Sequence, residues 1–172
     1  AALRPIATVD SLSQRTTTIY VADGQVKASI NALGQRMTMV YDVAGRKQAV
    51  VDALGRRITT VYNNANQSVA LVDPFGNRTT TVYDAGGRSV AAINALGRRE
   101  TMVFDVANRR VASVGPLLSR NTMVFDVVNR QIASINPLGN RASTIYDAAG
   151  QTSASVNPLG ARTTTVFNAA GQ

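Results

Sequence analysis

The chain has 172 residues, with 45% hydrophobic side chains drawn largely from Ala and Val, and it contains no Trp, no Cys and no His. The missing Cys and His exclude disulfide frameworks, thiolate or imidazole metal sites and Cys–His or Ser–His dyads, and they leave the redox compartment unreadable. A balance of 18 Lys plus Arg against 10 Asp plus Glu raises nucleic acid as a partner, while no apolar run approaches the roughly 20 residues of a membrane-spanning helix.

Eight aromatic residues recur at a constant spacing of 21: Tyr20, Tyr41, Tyr62, Tyr83, Phe104, Phe125, Tyr146 and Phe167. A fixed period this short means that each unit is one supersecondary piece whose apolar side is covered only by its neighbours. The unit is plainest from Arg46 to Asn66. A segment Arg46 to Val51 leads into Asp52-Ala53-Leu54-Gly55, a longer segment Arg56 to Tyr62 follows, and Asn63-Asn64-Ala65-Asn66 closes the repeat. Elsewhere the first tetrad reads Asp73-Pro74-Phe75-Gly76, Asn136-Pro137-Leu138-Gly139 or Asn157-Pro158-Leu159-Gly160, and the second reads Asp42-Val43-Ala44-Gly45 or Asp147-Ala148-Ala149-Gly150.

Both tetrads have the chemistry of a type I turn closed by a left-handed residue. Asp or Asn bonds its own backbone, Pro presets φ, and the fourth place tolerates φ > 0. Where Gly is absent from the second tetrad, Asn66, Asn108 and Asn129 replace it, so left-handed geometry is expected at Gly45, Gly150 and these three Asn residues. Each unit is thus two antiparallel strands joined by tight hairpin turns at 42–45, 52–55 and their equivalents.

Within the longer strand, alternation puts the aromatic and the residue two before it, such as Met39 and Tyr41, on one side, with Arg36, Thr38 and Val40 on the other. The shorter strand carries an Ala column, Ala7, Ala28, Ala49, Ala70, Ala91, Ala112, Ala133 and Ala154, with Val or Ile two places on in every copy. A bulged-hairpin register is expected to place this Ala/Val side with the aromatics, giving one apolar face. Sixteen strands at about 4.8 Å would make a flat sheet roughly 75 Å wide, and twisted open sheets curl before reaching that width. The expected fold is all-β: eight 21-residue units forming one continuous array over residues 1–172, an antiparallel hairpin meander curled into a spiral or barrel-like wall.

Three architectures compete with it. A membrane barrel needs strands of about 9 to 11 residues, longer than these. A four-bladed propeller would use two units per blade, yet nothing distinguishes odd copies from even ones. A parallel solenoid with one coil per repeat is opposed by tight turns at both ends of each strand.

The same residues resemble a known family. Tyr41-Asp42-Val43-Ala44-Gly45-Arg46 and Tyr83-Asp84-Ala85-Gly86-Gly87-Arg88, with Asx-Pro-Leu-Gly between such segments, are similar to the YD repeat, also called the RHS repeat, in eight units over the whole chain. In that family the repeats wind as a spiral of antiparallel hairpins into a hollow shell. Its members include bacterial polymorphic toxins, the encapsulating parts of insecticidal toxin complexes and the teneurin adhesion proteins. The resemblance implies a shell or wall and an extracellular or cell-surface location. It supplies neither the family's self-cleavage region nor a toxic cargo, which have no counterpart here. Val21, Asn63 and Asn168 replace the Asp after the aromatic, Ser13 replaces the Gly of the first turn, and Leu118 and Ser119 follow Gly115-Pro116 where Leu-Gly is expected, so these turns are expected to be locally altered.

Function follows from the columns. Eight arginines stand five places before the aromatics: Arg15, Arg36, Arg57, Arg78, Arg99, Arg120, Arg141 and Arg162. A residue recurring once per unit serves the unit first, which predicts a structural Arg row pairing with turn Asp, Asn or carbonyl groups, with ligand binding as the alternative and no specific nucleic acid partner. The aromatic row is expected to be structural; a stacking platform for sugars or bases is the alternative. The triple-Thr strands Thr16-Thr17-Thr18, Thr79-Thr80-Thr81 and Thr163-Thr164-Thr165 suggest a hydroxyl array for ice or glycan, but Met37, Ile58, Glu100 and Asn121 interrupt it. Acidic residues sit mostly at turn starts, and Glu100 is the only Glu, so no catalytic residue, cofactor or metal is expected. A structural, non-enzymatic wall is the leading expectation; a module binding glycan or protein through the Arg or aromatic row is the alternative. The array stops inside the repeat at both ends, which predicts an internal segment of a longer chain, continued covalently or by end-to-end pairing of copies.

Overall fold

The computed structural model describes residues 4–167. Sixteen strands run from β1 (Arg4–Val9) to β16 (Arg162–Thr164), and between these two they alternate between a six-residue type such as β4 (Arg36–Tyr41), β6 (Arg57–Tyr62) and β8 (Arg78–Tyr83) and a five-residue type such as β3 (Val26–Ile30), β5 (Lys47–Val51) and β7 (Ser68–Val72). Every pairing recorded along the chain is antiparallel, and strand order in the sheet is the order of the sequence. The meander is therefore as expected, and no helix occurs among the described residues. The chain divides into two compact units, residues up to Gly87 with Ile93–Leu96, and Arg88–Ala92 with Gly97 onward.

The turns carry the backbone geometry that the tetrads predict. In the turn at 42–45 the N–H of Gly45 donates to Asp42 O at 3.0 Å and that of Asp42 to Arg46 O at 2.9 Å. The Asp42 carboxylate accepts the N–H groups of Ala44 and Arg46. At the closing position φ is 76° at Gly45, 85° at Gly150, and 61°, 71° and 76° at Asn66, Asn108 and Asn129. Turns expected to be altered keep this backbone. Ser13 and Leu118 take φ of 59° and 61°, with the usual backbone bonds from Ser13 to Asp10 and from Leu118 to Gly115. The residues in the Leu-Gly places are thus Leu117 and Leu118, one position earlier than the sequence reading set them. Only the side-chain part changes: Val21 has no carboxylate, and Asp23 accepts the Gln25 N–H instead. Asn63 works as Asp does, and Asn168 lies outside the described residues.

The expected single apolar face is corrected. Val40 stands opposite Ala49, and Thr38 opposite Val51, so the Ala/Val side of the short strand lies with Thr38 and Val40, away from Tyr41 and Met39. The reason is a second irregularity. Between Val40 and Tyr41 the partner changes from Ala49 to Lys47, leaving Gln48 without an opposite residue, and a one-residue shift moves every following side chain to the other face. The same shift recurs before Tyr20, Tyr62, Phe104, Phe125 and Tyr146.

Within each unit the sheet is one layer thick: every recorded strand contact is with the strand before or after. The only buried hydrophobic residues among those described are Ala28, Ala49, Ala70, Ala91, Ala112, Ala133 and Ala154, each at most 3% exposed. Their methyl groups lie low between Val, Ile and Thr side chains of both flanking strands. Ala7, on an edge strand whose one recorded partner is Arg15–Tyr20, is exposed. The accessible surface is 11609 Å², against about 8,100 Å² for a compact monomer of this mass. Stability therefore rests on ladder bonds, turn chemistry and contacts between adjacent repeats more than on a packed interior.

Candidate functional site

The densest side-chain chemistry lies along the turns that follow the aromatics. Arg46 donates from Nε to the Asp42 carboxylate at 2.7 Å within its own turn. Its Nη1 donates to Asn63 O at 3.2 Å and Asn66 Oδ1 at 2.7 Å, both in the next turn of the same line. Its guanidinium also lies over the Tyr62 ring, 4.6 Å from the centroid. Arg109 repeats the pattern with Asp105, Asp126 O and Asn129, over Phe125. Arg88 bonds Asn108 and lies over Phe104, and Arg130 bonds Asp126 and lies over Tyr146. Where the column holds Gln25, its Nε2 donates to Gly45 O at 2.9 Å, one repeat on. One long donor per repeat thus fastens each of these turns to the next.

The carboxylates that receive these donors are held below the ordinary aspartate value. At Asp42 and Asp105 the strongest cause is the backbone N–H of Arg46 or Arg109, opposed by desolvation and reinforced by the guanidinium. At Asp126, and at Asp52 on the opposite line of turns, desolvation is the largest single influence and acts upward, but the combined bonds from Arg130 and Arg56 outweigh it. At Asp73 the leading cause is the Asn77 side chain.

The predicted aromatic row is partly buried and stands at the ends of the long strands, except Phe167, which lies three residues beyond the last strand. Tyr41, Tyr62, Tyr83 and Tyr146 donate their hydroxyls to the carbonyls of Val26, Lys47, Ser68 and Gln131, each near the start of the short strand in the same repeat and beside a register shift. Phe104 and Phe125 lack that bond and keep only the cation over the ring. The predicted Arg row is placed differently from expectation. Arg36, Arg57, Arg99 and Arg120 are exposed and donate from Nε to the Thr hydroxyl two residues on in their own strands, at 3.2–3.3 Å, and Arg141 does so to Ser143. Turn Asp, Asn and carbonyl partners belong instead to a second column, Arg46, Arg88, Arg109 and Arg130, and to Arg56 within its own turn at Asp52. The structure brings that second column and the aromatics together; it does not join either to the first Arg row.

Sequence reasoning missed two features. One is the fastening column itself, whose signal is that positions 25, 46, 67, 88, 109, 130, 151 and 172 hold only Arg or Gln. The other is a row of large apolar side chains at the third place of the first tetrads. Leu12, Leu33, Leu54, Phe75, Leu96, Leu117, Leu138 and Leu159 are 75–93% exposed. Between two of these turns lies a recess of about 290 Å³ lined by Asn31, Arg36, Met37, Asp52 and Leu54 among others. Among the described residues no three acidic side chains gather into a group able to hold a metal ion.

These features define a β-hairpin repeat array whose neighbouring units are fastened through their turns. No protein-family model matches the chain, and no curated protein matches it. Solved structures align with it at low identity. A mutant form of the Photorhabdus luminescens Tc holotoxin pore aligns over 96% of this chain and 13% of its own at 14% identity and a TM-score of 0.48. A TcdB2-TccC3-TEV crystal structure aligns over 93% and 13% at 15% identity and a TM-score of 0.32, and TcdB2-TccC3 over 95% and 16% at 13% identity and 0.31. The chain thus spans about 13–16% of the chains it matches.

Proposed function

We propose that this chain is a non-enzymatic wall segment of the YD/RHS type, whose task is to extend a thin continuous sheet repeat by repeat, curled into a shell, tube or filament outside the cell or at its surface. The observation that carries this reading is the fastening column: Arg46 and Arg109 direct every donor contact to groups of their own turn and of the next turn on the same line, as a load-distributing seam requires. A single-layer sheet with both faces partly exposed suits a wall, because either face can bound an enclosed space. Self-association, by continuation of the repeat or by end-to-end pairing of copies, is part of the same proposal. The turn from Asn168 to Gly171, on which an in-phase continuation depends, lies outside the described residues.

Electron microscopy of the intact native protein tests the reading. A curved wall with strand spacing of about 4.8 Å running around a lumen is the expected image; compact solid particles with no enclosed volume would overturn it. A second reading, a module binding glycan or protein, is favoured by the exposed first Arg row, whose guanidinium groups are oriented by Thr hydroxyls. Glycan-array binding that disappears when Arg36, Arg57, Arg99 and Arg120 are changed to Ala would establish it.

A further inference from the structure

The line of turns at the first tetrads carries a second chemistry, independent of the fastening column. All eight tetrads hold Leu or Phe at the third place, and nothing in a type I turn demands an apolar residue there. These side chains stand 75–93% exposed. Behind Phe75 the apolar surface continues into a recess lined by Met37, Val50, Ile58 and Pro74.

Charge is sorted in the same way. The first tetrads with the two residues after each contain ten arginines and three aspartates, Asp10, Asp52 and Asp73. The second tetrads with the two residues after each contain six Lys or Arg and six Asp, and so are neutral. Nearly the whole net charge of +8 therefore lies beside the exposed Leu row. Successive tips within a unit are two strands, about 10 Å, apart.

The geometry points to this turn line, in each compact unit taken by itself, as a peripheral membrane-docking edge for an anionic lipid surface, in which the Leu and Phe tips enter the interfacial layer and Arg36, Arg57 and Arg78 in one unit, or Arg99, Arg120 and Arg141 in the other, pair with headgroup phosphates or carboxylates. A second copy of the same edge is disfavoured, because arginines would meet arginines. A rigid acidic protein would need acidic and apolar groups matched to the 10 Å period, whereas a fluid bilayer accommodates protruding tips at any spacing. Docking requires no spanning segment; no helix among the described residues is long and apolar enough to cross a membrane.

The test is co-sedimentation of the intact protein with phosphatidylcholine vesicles with and without phosphatidylserine, at low and high salt. Binding is expected to the phosphatidylserine vesicles at low salt and to weaken at least about tenfold on pure phosphatidylcholine or at high salt. Changing Leu33, Leu54, Phe75 and Leu96 together to Ser should give a similar loss while circular dichroism stays unchanged. Because the chain has no Trp, Leu54→Trp supplies a single fluorescent reporter. Its emission should shift to the blue on anionic vesicles alone. Three results would overturn the proposal: no sedimentation with either vesicle, undiminished binding by the Ser variant, or reporter emission that stays water-like while the protein sediments. Retention on a polyglutamate resin without vesicle binding would assign the edge to an acidic protein and overturn it equally.

Discussion

The two lines of turns bounding the hairpins have the same backbone and opposite chemistry. After the aromatics, Arg or Gln binds one turn to the next, and charge cancels. After the short strands, Leu or Phe points outward beside unbalanced arginines. Identical Asx bonds and left-handed closing residues serve both. Turn geometry is thus a platform that leaves the middle residues free, and their identity separates a line that holds the array together from one that faces something else.

Breaking the fastened line should have the largest effect. Changing Arg46 and Arg109 together to Ala removes the guanidinium bonds and ring contacts at both places, and a loss on the order of 1–3 kcal/mol per site is expected in urea unfolding. Equivalent changes at Arg56 and Arg57, on the exposed line, should cost less than half as much; equal losses would erase the distinction. Gly45→Val attacks the backbone of the fastened line. With φ at 76° and an added Cβ only 3.1 Å from Gln25 Nε2, it should cost about 1–2 kcal/mol.

Acid sharpens the comparison further. The folded-state values of Asp42, Asp105 and Asp126 are lowered, so the stability these groups add is fully present above the ordinary aspartate range, about pH 4, and is lost as pH falls through their lowered values. Acid unfolding followed by circular dichroism should therefore begin below about pH 4, and Arg46→Ala should move its onset upward. An onset that Arg46→Ala leaves in place would mean that the bridge to Asp42 contributes nothing.

Smaller effects belong to the exposed line. Leu118 is a branched residue at φ 61°, and Leu118→Gly should raise stability by up to about 1 kcal/mol by relieving a left-handed conformation. Leu54→Ser, at a side chain 78% exposed, should change the stability by no more than about 0.5 kcal/mol. A larger loss would show that the Leu row packs within the protein and is not a free edge.

Strand order, turn positions and the left-handed residues were all legible in the sequence, because Asx, Pro and Gly act through local sterics that need no partner. The facing of the Ala column was not. It depends on where Gln48 falls out of the ladder, and no residue type marks that place: the equivalents of Gln48 are Lys27, Val69, Val111, Ile132 and Ser153. The fastening column escaped notice because identity was sought where chemistry is shared; Arg and Gln differ in charge but both reach across a repeat with an N–H. The Leu row went unremarked because only its exposure separates it from a core residue.

The unpaired residue in each repeat also has an arithmetic consequence. Side chains in a ladder alternate with a period of two, and the repeat has an odd length. Were Gln48 paired, Ala49 would face with Tyr41 on one side and, through its pairing with Thr59, against Tyr62 on the other. Successive rings would then appear on alternate faces, and no guanidinium could reach the next ring in the same way each time. Dropping one residue per unit restores parity, so each repeat presents the same two faces as the one before, with no inversion. The array is consequently countable: whole repeats can be added without disturbing what precedes them, whereas pairing of the residue at 48 into the ladder would turn the strands that follow in that unit inside out.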